Sequence, residues 1–380
     1  MTSAAQVWEL LHSQVVARGT TKVRLDEACG RTLREPVIAP EDMPAFDRSS
    51  VDGFAVLSGD ASASFAVSGE IRAGDAGTVE WSDGCAYRIA TGAAVPTGAE
   101  VIMLEDAAEQ GGRVSFSRRG GDHIRRRGED AQAGDEIVPG GARLSDGCIA
   151  LLASVGCALP VVTRSIRALH VATGNEIVDP SSDPIPGQIR DSNSSLVRAW
   201  AHQRGLMLSQ QRVNEDEKAL RHAIRQDCDL LLVSGGASVG KHDFTEKVLL
   251  DAGFVILVTK VNARPGKPLI VARRGDQWAF GLPGNPLSHF VCLHVFVAAA
   301  IAAMEGSSAA PVLLNGFVTS AISGNPRETW WLAVEESAGL RPLRWTSSGD
   351  TTALAAVNAL IRVPVSGLAA GDRAEFIRTA

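Results

Sequence analysis

Between Ser165 and about Gly306 the chain alternates strand-like and helix-like segments, and this rhythm constrains its fold more than any other feature. IRALHVAT, LMLSQQRV, DLLLVS, FVILVTKV, PLIVAR and QWAFGL are short apolar runs of strand length. Asn193 to His202 and EDEKALRHAIRQ read as helices between them, the second opened by Asn214 and Glu217 as a capping box. Pro286 opens a longer helix that runs to Met304. Alternation of this kind predicts a parallel sheet covered by helices on both faces, with ligands at the carboxyl ends of its strands.

The flanking regions have a different texture. Val7, Leu10, Leu11 and Val15 form one apolar stripe of an opening helix. From about Pro36 to Pro139 short β-like pieces are broken by Gly, Asp and Pro, which predicts a small β-rich insertion. LSDGCIALLASVG then reads as a helix able to rejoin the first. The last segment, from Pro311, is β-like apart from a helical stretch near Thr351 to Ala359.

Composition excludes several classes of protein. Hydrophobic residues make up 45% and charged residues 21%, so there is ample core and no disorder signature. The formal net charge of −6 disfavours nucleic acid, whose binding rests on many phosphate contacts. The six cysteines are scattered, without a C-x-x-C pair, which suits a reducing compartment. The N-terminus has no signal-peptide pattern, and the apolar run from Phe290 to Met304 falls short of the ~20 residues a bilayer span needs. The expectation is a cytoplasmic protein with no membrane partner.

Three loops carry the chemistry. In DLLLVSGGASVGKHDF a strand enters a glycine-rich loop before a helix, an arrangement that points backbone N–H groups at an anion. Gly235 to Lys241 match the first seven positions of a P-loop. The eighth, which should be a Mg²⁺-binding hydroxyl, is His242, which argues against a Walker-type NTPase. Asp243 follows and could hold a metal ion bound to phosphate. In ARPGKPLIVA, Arg264 and Lys267 flank a stiff Pro-Gly turn, so less entropy is lost on binding an oxyanion. In GLPGNP, Pro283 and Pro286 fix a loop that leads into a helix N-terminus.

Acidic residues in PAFDRSSVDGFAV (Asp47, Asp52) and RRRGEDAQAGD (Glu129, Asp130) either serve local turns or hold Mg²⁺ beside a phosphate. Residues 113–127 carry six arginines, which form either a solvated face or a patch that draws in a small polyanion. No Ser-His-Asp triad can be assembled.

Taken together, PAFDRSSVDGFAV, IATGAAVPTGAEVIM, IRRRGEDAQAGD, VATGNEIV, GQIRDSNS, SGGASVGKHDFT, RPGKPL, GLPGNP and SSGDTTALAAVNAL resemble, in order, the motifs of the molybdopterin molybdenumtransferase family. The resemblance implies insertion of molybdenum from molybdate into adenylylated molybdopterin with release of AMP, assisted by Mg²⁺. It implies a homodimer with a shared active site and a molybdopterin adenylyltransferase upstream. It also implies four domains: a discontinuous linker and dimerisation domain (1–45 and 131–164), an inserted β-rich domain (46–130), an α/β domain (165–306) and a C-terminal β domain (307–380).

By motif matching, Asp52, Asp130, Asp243 and Lys267 are implied as catalytic. Thr91, Gly235, Gly236, Ser238, Arg264, Pro283, Pro286 and Ser348 are implied to bind substrate, and Asp243 and Glu176 to bind metal. Asn175 stands where the family has Asp, which removes one charge, and Arg264 stands where Lys is common, which changes a point charge to a fork. A non-catalytic, cofactor-holding relative of the same fold is the alternative reading.

Overall fold

The computed structural model describes residues 1–121, 123–235, 244–308 and 310–379. They form two compact units, one of residues 1–34, 141–146 and 159–380, the other of residues 35–140 and 147–158.

In the first unit, helix α1 (Ala4–Gln14) opens on a capping box between Ser3 and Gln6. The α/β sheet comprises β1 (Arg167–Thr173), β2 (Met207–Val213), β3 (Leu230–Ser234), β4 (Val255–Val258), β5 (Ile270–Arg274) and β6 (Gln277–Leu282), in the order β2-β1-β3-β6-β5-β4. Five strands share one direction, as expected, but β5, between β6 and β4, runs antiparallel to both neighbours. The cause is the short connection between β5 and β6. Gly275 (φ 57°) and Asp276 alone join them, and a two-residue link permits only a hairpin.

Helices cover both faces of this sheet. On one face, Leu230, Leu232 and Phe280 pack with α1, with helix α2 (Ser192–Gln203) and with the long helix 286–304. On the other, Leu169, Val171, Leu231 and Val233 pack with α3 (Glu217–Ala223) and α4 (Thr245–Asp251). Asp216, rather than Asn214, caps α3: its carboxylate accepts from Ala219 N at 2.8 Å, a role for which Asp is as well suited as Asn.

The helix from Pro286 to Met304, here α5, is long and apolar enough to cross a membrane, yet 89% of it is buried in the core. Its middle, Leu293–Val297, is a π-helical segment. Such a segment disturbs the backbone ladder, and the Trp8 indole N–H donates to the Val295 carbonyl at 2.8 Å. The same core continues into a C-terminal sheet through Trp330, Leu332, Leu360 and Ile377. Where a helical stretch was expected in that region, a 3-10 turn, Thr352–Ala355, is found.

The second unit is built on a six-stranded sheet. Its strands lie in the order Ala99–Met103, Gly53–Leu57, Cys85–Ile89, Phe65–Ile71, Arg113–Phe116 and Ala107–Gln110. Gly53 is required there, because a Cβ would lie 1.9 Å from the Ile102 carbonyl oxygen. The segment LSDGCIALLASVG contains a helix, Asp146–Ser154, and from Gly147 it belongs to this unit, whereas α1 belongs to the first.

Candidate functional site

At the carboxyl ends of β1, β3 and β6 lies a cleft of about 550 Å³. Its walls include Thr173, Glu176, Arg190, Asn193, Ser234, Gly235, Gly284, Asn285 and Pro286. Gly235 turns out of β3 at φ 89°, and a Cβ there would lie 2.2 Å from the Thr173 carbonyl oxygen. Only glycine lets the chain leave β3 this close to the end of β1.

Polar groups fix the cleft walls. Asp191 caps α2, accepting from Ser194 N at 2.9 Å and Ser194 Oγ at 2.6 Å, and from Arg212 Nε at 3.2 Å. Burial pushes the Asp191 carboxyl up, but these bonds outweigh it and hold the pKa below the usual value. Asn193 Nδ2 donates to the Gly284 carbonyl at 2.7 Å, leaving its buried Oδ1 without a partner among the described residues. Asn285 Nδ2 donates to Ser348 Oγ at 2.8 Å, and Leu287 N donates to the Ser348 carbonyl at 3.0 Å. The GLPGNP loop and Ser348 are thereby joined.

Under this floor lie two buried histidines, with ring centroids 6.3 Å apart. His289 Nδ1 faces the Pro283 carbonyl at 3.1 Å and must be the donor, since a carbonyl only accepts. Its Nε2 is then a buried acceptor with no partner among the described residues. Burial lowers the pKa of His289 to about 4 and that of His170 to about 3, so both rings are neutral near pH 7.

The residues expected from sequence divide between the two units. Glu176, Gly235 and Pro286 line the cleft, while Pro283 and Ser348 brace it. Gly236, Ser238 and Asp243 lie outside the described residues. Arg264 and Lys267 are not among the wall residues: the Arg264 guanidinium stacks over Trp345 at 5.5 Å, and Lys267 is half-buried on the neighbouring turn. Asn175 Oδ1 accepts from Glu215 N at 3.0 Å, so this uncharged side chain still braces the loop.

In the second unit, Thr91 donates to Asp52 Oδ1 from its backbone N at 2.7 Å and from Oγ1 at 3.0 Å. These two bonds, the backbone one foremost, lower the Asp52 pKa. Asp130 pairs with Arg125, and both line a smaller pocket with Asp42, Met43, Pro44 and Arg48.

The arginine run is mainly structural. Arg126 pairs with Asp47 at 2.9 Å and Arg127 with Asp42 at 2.7 Å, Arg119 pairs with Glu100, and Arg113 donates to Ser64. Arg118 lines a small cavity. With most of its charge already met by neighbours, the run makes a weak lure for an anion. Sequence reasoning did not single out Ser234, Arg190, Asn193 or Asn285 as cleft residues. Asn193 and Arg190 stand in GQIRDSNS, and Ser234 directly precedes the glycine loop.

A multidomain α/β protein with a cleft of hydroxyls and amides at the carboxyl ends of parallel strands is thus defined, the place where open α/β sheets take their ligands. Residues 2–156 match the MoeA N-terminal region (domain I and II), and residues 170–303 match a probable molybdopterin binding domain. Over 381 residues the chain is 31% identical to a molybdopterin molybdenumtransferase of Staphylococcus epidermidis, covering 94% of this chain and 90% of that one. It is 39% identical over 298 residues to the enzyme of that name from Bacillus subtilis, covering 73% and 69%. The molybdopterin biosynthesis MoeA protein of Pyrococcus horikoshii superposes with a TM-score of 0.83 at 25% identity, covering 99% of both chains. The chain belongs to the molybdopterin molybdenumtransferase family.

Proposed function

We propose that this protein inserts molybdenum from molybdate into adenylylated molybdopterin, releasing AMP and yielding the molybdenum cofactor. The observation that carries the reading is the cleft itself, which is lined mostly by the segment similar to a molybdopterin binding domain and is walled by hydroxyl, amide and backbone groups suited to phosphate oxygens. Arg190 stands at its edge, held by the Pro180 and Ser182 carbonyls, each at 3.1 Å, and paired with exposed Asp183 at 3.4 Å. Gly235 brings backbone close to the ligand. Ser348, already accepting from Asn285, has no acceptor for its own proton among the described residues and can offer it to molybdate or phosphate. The motif resemblance adds Lys267 and Arg264 as charges offsetting the anhydride as it breaks, and Asp52, Thr91 and Asp130 as residues of the second unit that take part.

Magnesium fits the cleft in part. Glu176 is an exposed carboxylate without an ion-pair partner among the described residues, and the surrounding donors are hard oxygens. The described residues hold no cluster of three ligating side chains, so Glu176 would share the ion with Asp243 and substrate phosphate. Bound there, the ion would neutralise phosphoanhydride charge.

The reading extends to a cytoplasmic homodimer with a shared active site, fed by a molybdopterin adenylyltransferase, and to the four-domain division given above. The test is incubation with adenylylated molybdopterin and low molybdate: AMP release by the wild type and none by Asp243→Ala supports the reading. A fully active Asp243→Ala variant removes that residue from the mechanism, and wild type that releases no AMP overturns the reading.

A further inference from the structure

A one-way hydrogen-bond relay ends at the cleft in Ser234. Arg198 Nε donates to Gln210 Oε1 at 2.8 Å, and Gln210 Nε2 lies 2.9 Å from the Ser194 carbonyl. Both contacts fix the amide orientation, because flipping it would set donor against donor and oxygen against oxygen. The second Nε2 proton therefore points at His170 Nδ1, 3.0 Å away, which must accept. A neutral ring accepting at Nδ1 carries its proton on Nε2, and that proton is donated to Ser234 Oγ at 2.6 Å. Ser234 then has its own proton left, with no acceptor among the described residues, at a position where it lines the cleft.

We infer that Ser234 is a ligand-binding donor for an anionic oxygen of the phosphoanhydride, its polarity imposed by Gln210 and His170 as positioning residues. The inference rests on the proposed substrate and assigns it a further contact. A hydroxyl that accepts the ring N–H cannot give its own proton back to the ring, so that proton is left for a ligand atom that accepts. Strand geometry places the three residues in line. Ser234, His170 and Gln210 lie on adjacent strands β3, β1 and β2, all on the α2 face of the sheet. The buried ring does not switch the relay, because it stays neutral far below physiological pH.

The test combines a spectroscopic readout with binding. In ¹⁵N-histidine spectra of the wild-type protein, His170 shows the neutral tautomer protonated at Nε2, and the Nδ1-protonated form overturns the inference. Retention of adenylylated molybdopterin without molybdate is then compared. Ser234→Ala weakens it roughly ten- to a hundredfold, the span expected for one hydrogen bond to a charged group. His170→Gln, which can still accept from Gln210 and donate to Ser234, stays within about threefold of the wild type, whereas His170→Phe falls with Ser234→Ala. Equal retention by Ser234→Ala and the wild type overturns this inference alone. A wild type that retains none overturns the functional reading with it.

Discussion

Acidification from about pH 7.5 to pH 5 should destabilise the first unit by an amount its buried histidines set. His170, His289 and His294 are 0%, 0% and 5% exposed, and burial lowers their pKa values to about 3, about 4 and about 3. In the unfolded chain each returns to 6.5. Between these values the unfolded state binds more protons than the native state, so stability falls as pH falls. At about pH 5 the lag is 1.5 pH units, worth about 2 kcal/mol per ring and about 6 kcal/mol for three.

Other titrations act in different directions or ranges. Burial raises the Glu305 pKa, so the native state takes that proton first and offsets part of the loss. Asp191 and Asp229 have lowered pKa values, so their contribution is lost only in more acid solution. Urea unfolding followed by tryptophan fluorescence measures the drop, since six of the seven tryptophans (all but Trp81) lie in the first unit. His294, whose ring centroid is 4.4 Å from that of Phe290, provides the control. His294→Phe should remove about a third of the pH dependence, or about 2 kcal/mol. A urea midpoint unchanged between pH 7.5 and pH 5 would refute the claim that these rings are buried and neutral.

Further outcomes follow from single contacts. Asp229 accepts from Arg164 at 2.8 and 2.7 Å and from Arg167 N at 2.8 Å, and lies 3.7 Å from the buried Arg18. Asp229→Ala should cost about 3–5 kcal/mol in urea unfolding by leaving that guanidinium unpaired, and a loss under about 1 kcal/mol would contradict this. Gly235→Ala, strained at φ 89° and 2.2 Å from the Thr173 oxygen, should lower AMP release at least roughly tenfold. Asp52→Asn keeps an acceptor for Thr91 N, so its melting temperature should stay near that of the wild type while AMP release falls. Unchanged AMP release would make Asp52 a turn residue only.

Much of the α/β unit was legible because its strands are continuous apolar runs buried on both faces, such as Leu230 to Val233. Strand direction was misread where a rhythm was extended past its evidence: Gly275-Asp276 is too short for a crossover, and counting those residues would have made β5 antiparallel. The cap of α3 was ambiguous because Asn214 and Asp216 are both capping residues, and only the backbone decides between them. Ser234, His170 and Gln210 are scattered through three strand segments, and nothing in their spacing announces that pairing in the sheet sets them side by side. The partners of the arginine run were hidden for a related reason. Asp42, Asp47 and Glu100, which pair with it, are distant in sequence.

The central claim is molybdenum insertion coupled to anhydride cleavage. The direct measurement is the ratio of AMP released to molybdenum retained as cofactor when purified protein meets adenylylated molybdopterin and molybdate. The account predicts one AMP per molybdenum inserted, with both products lost together in Asp243→Ala. Release of AMP with no molybdenum incorporated, or incorporation with no AMP, would contradict it.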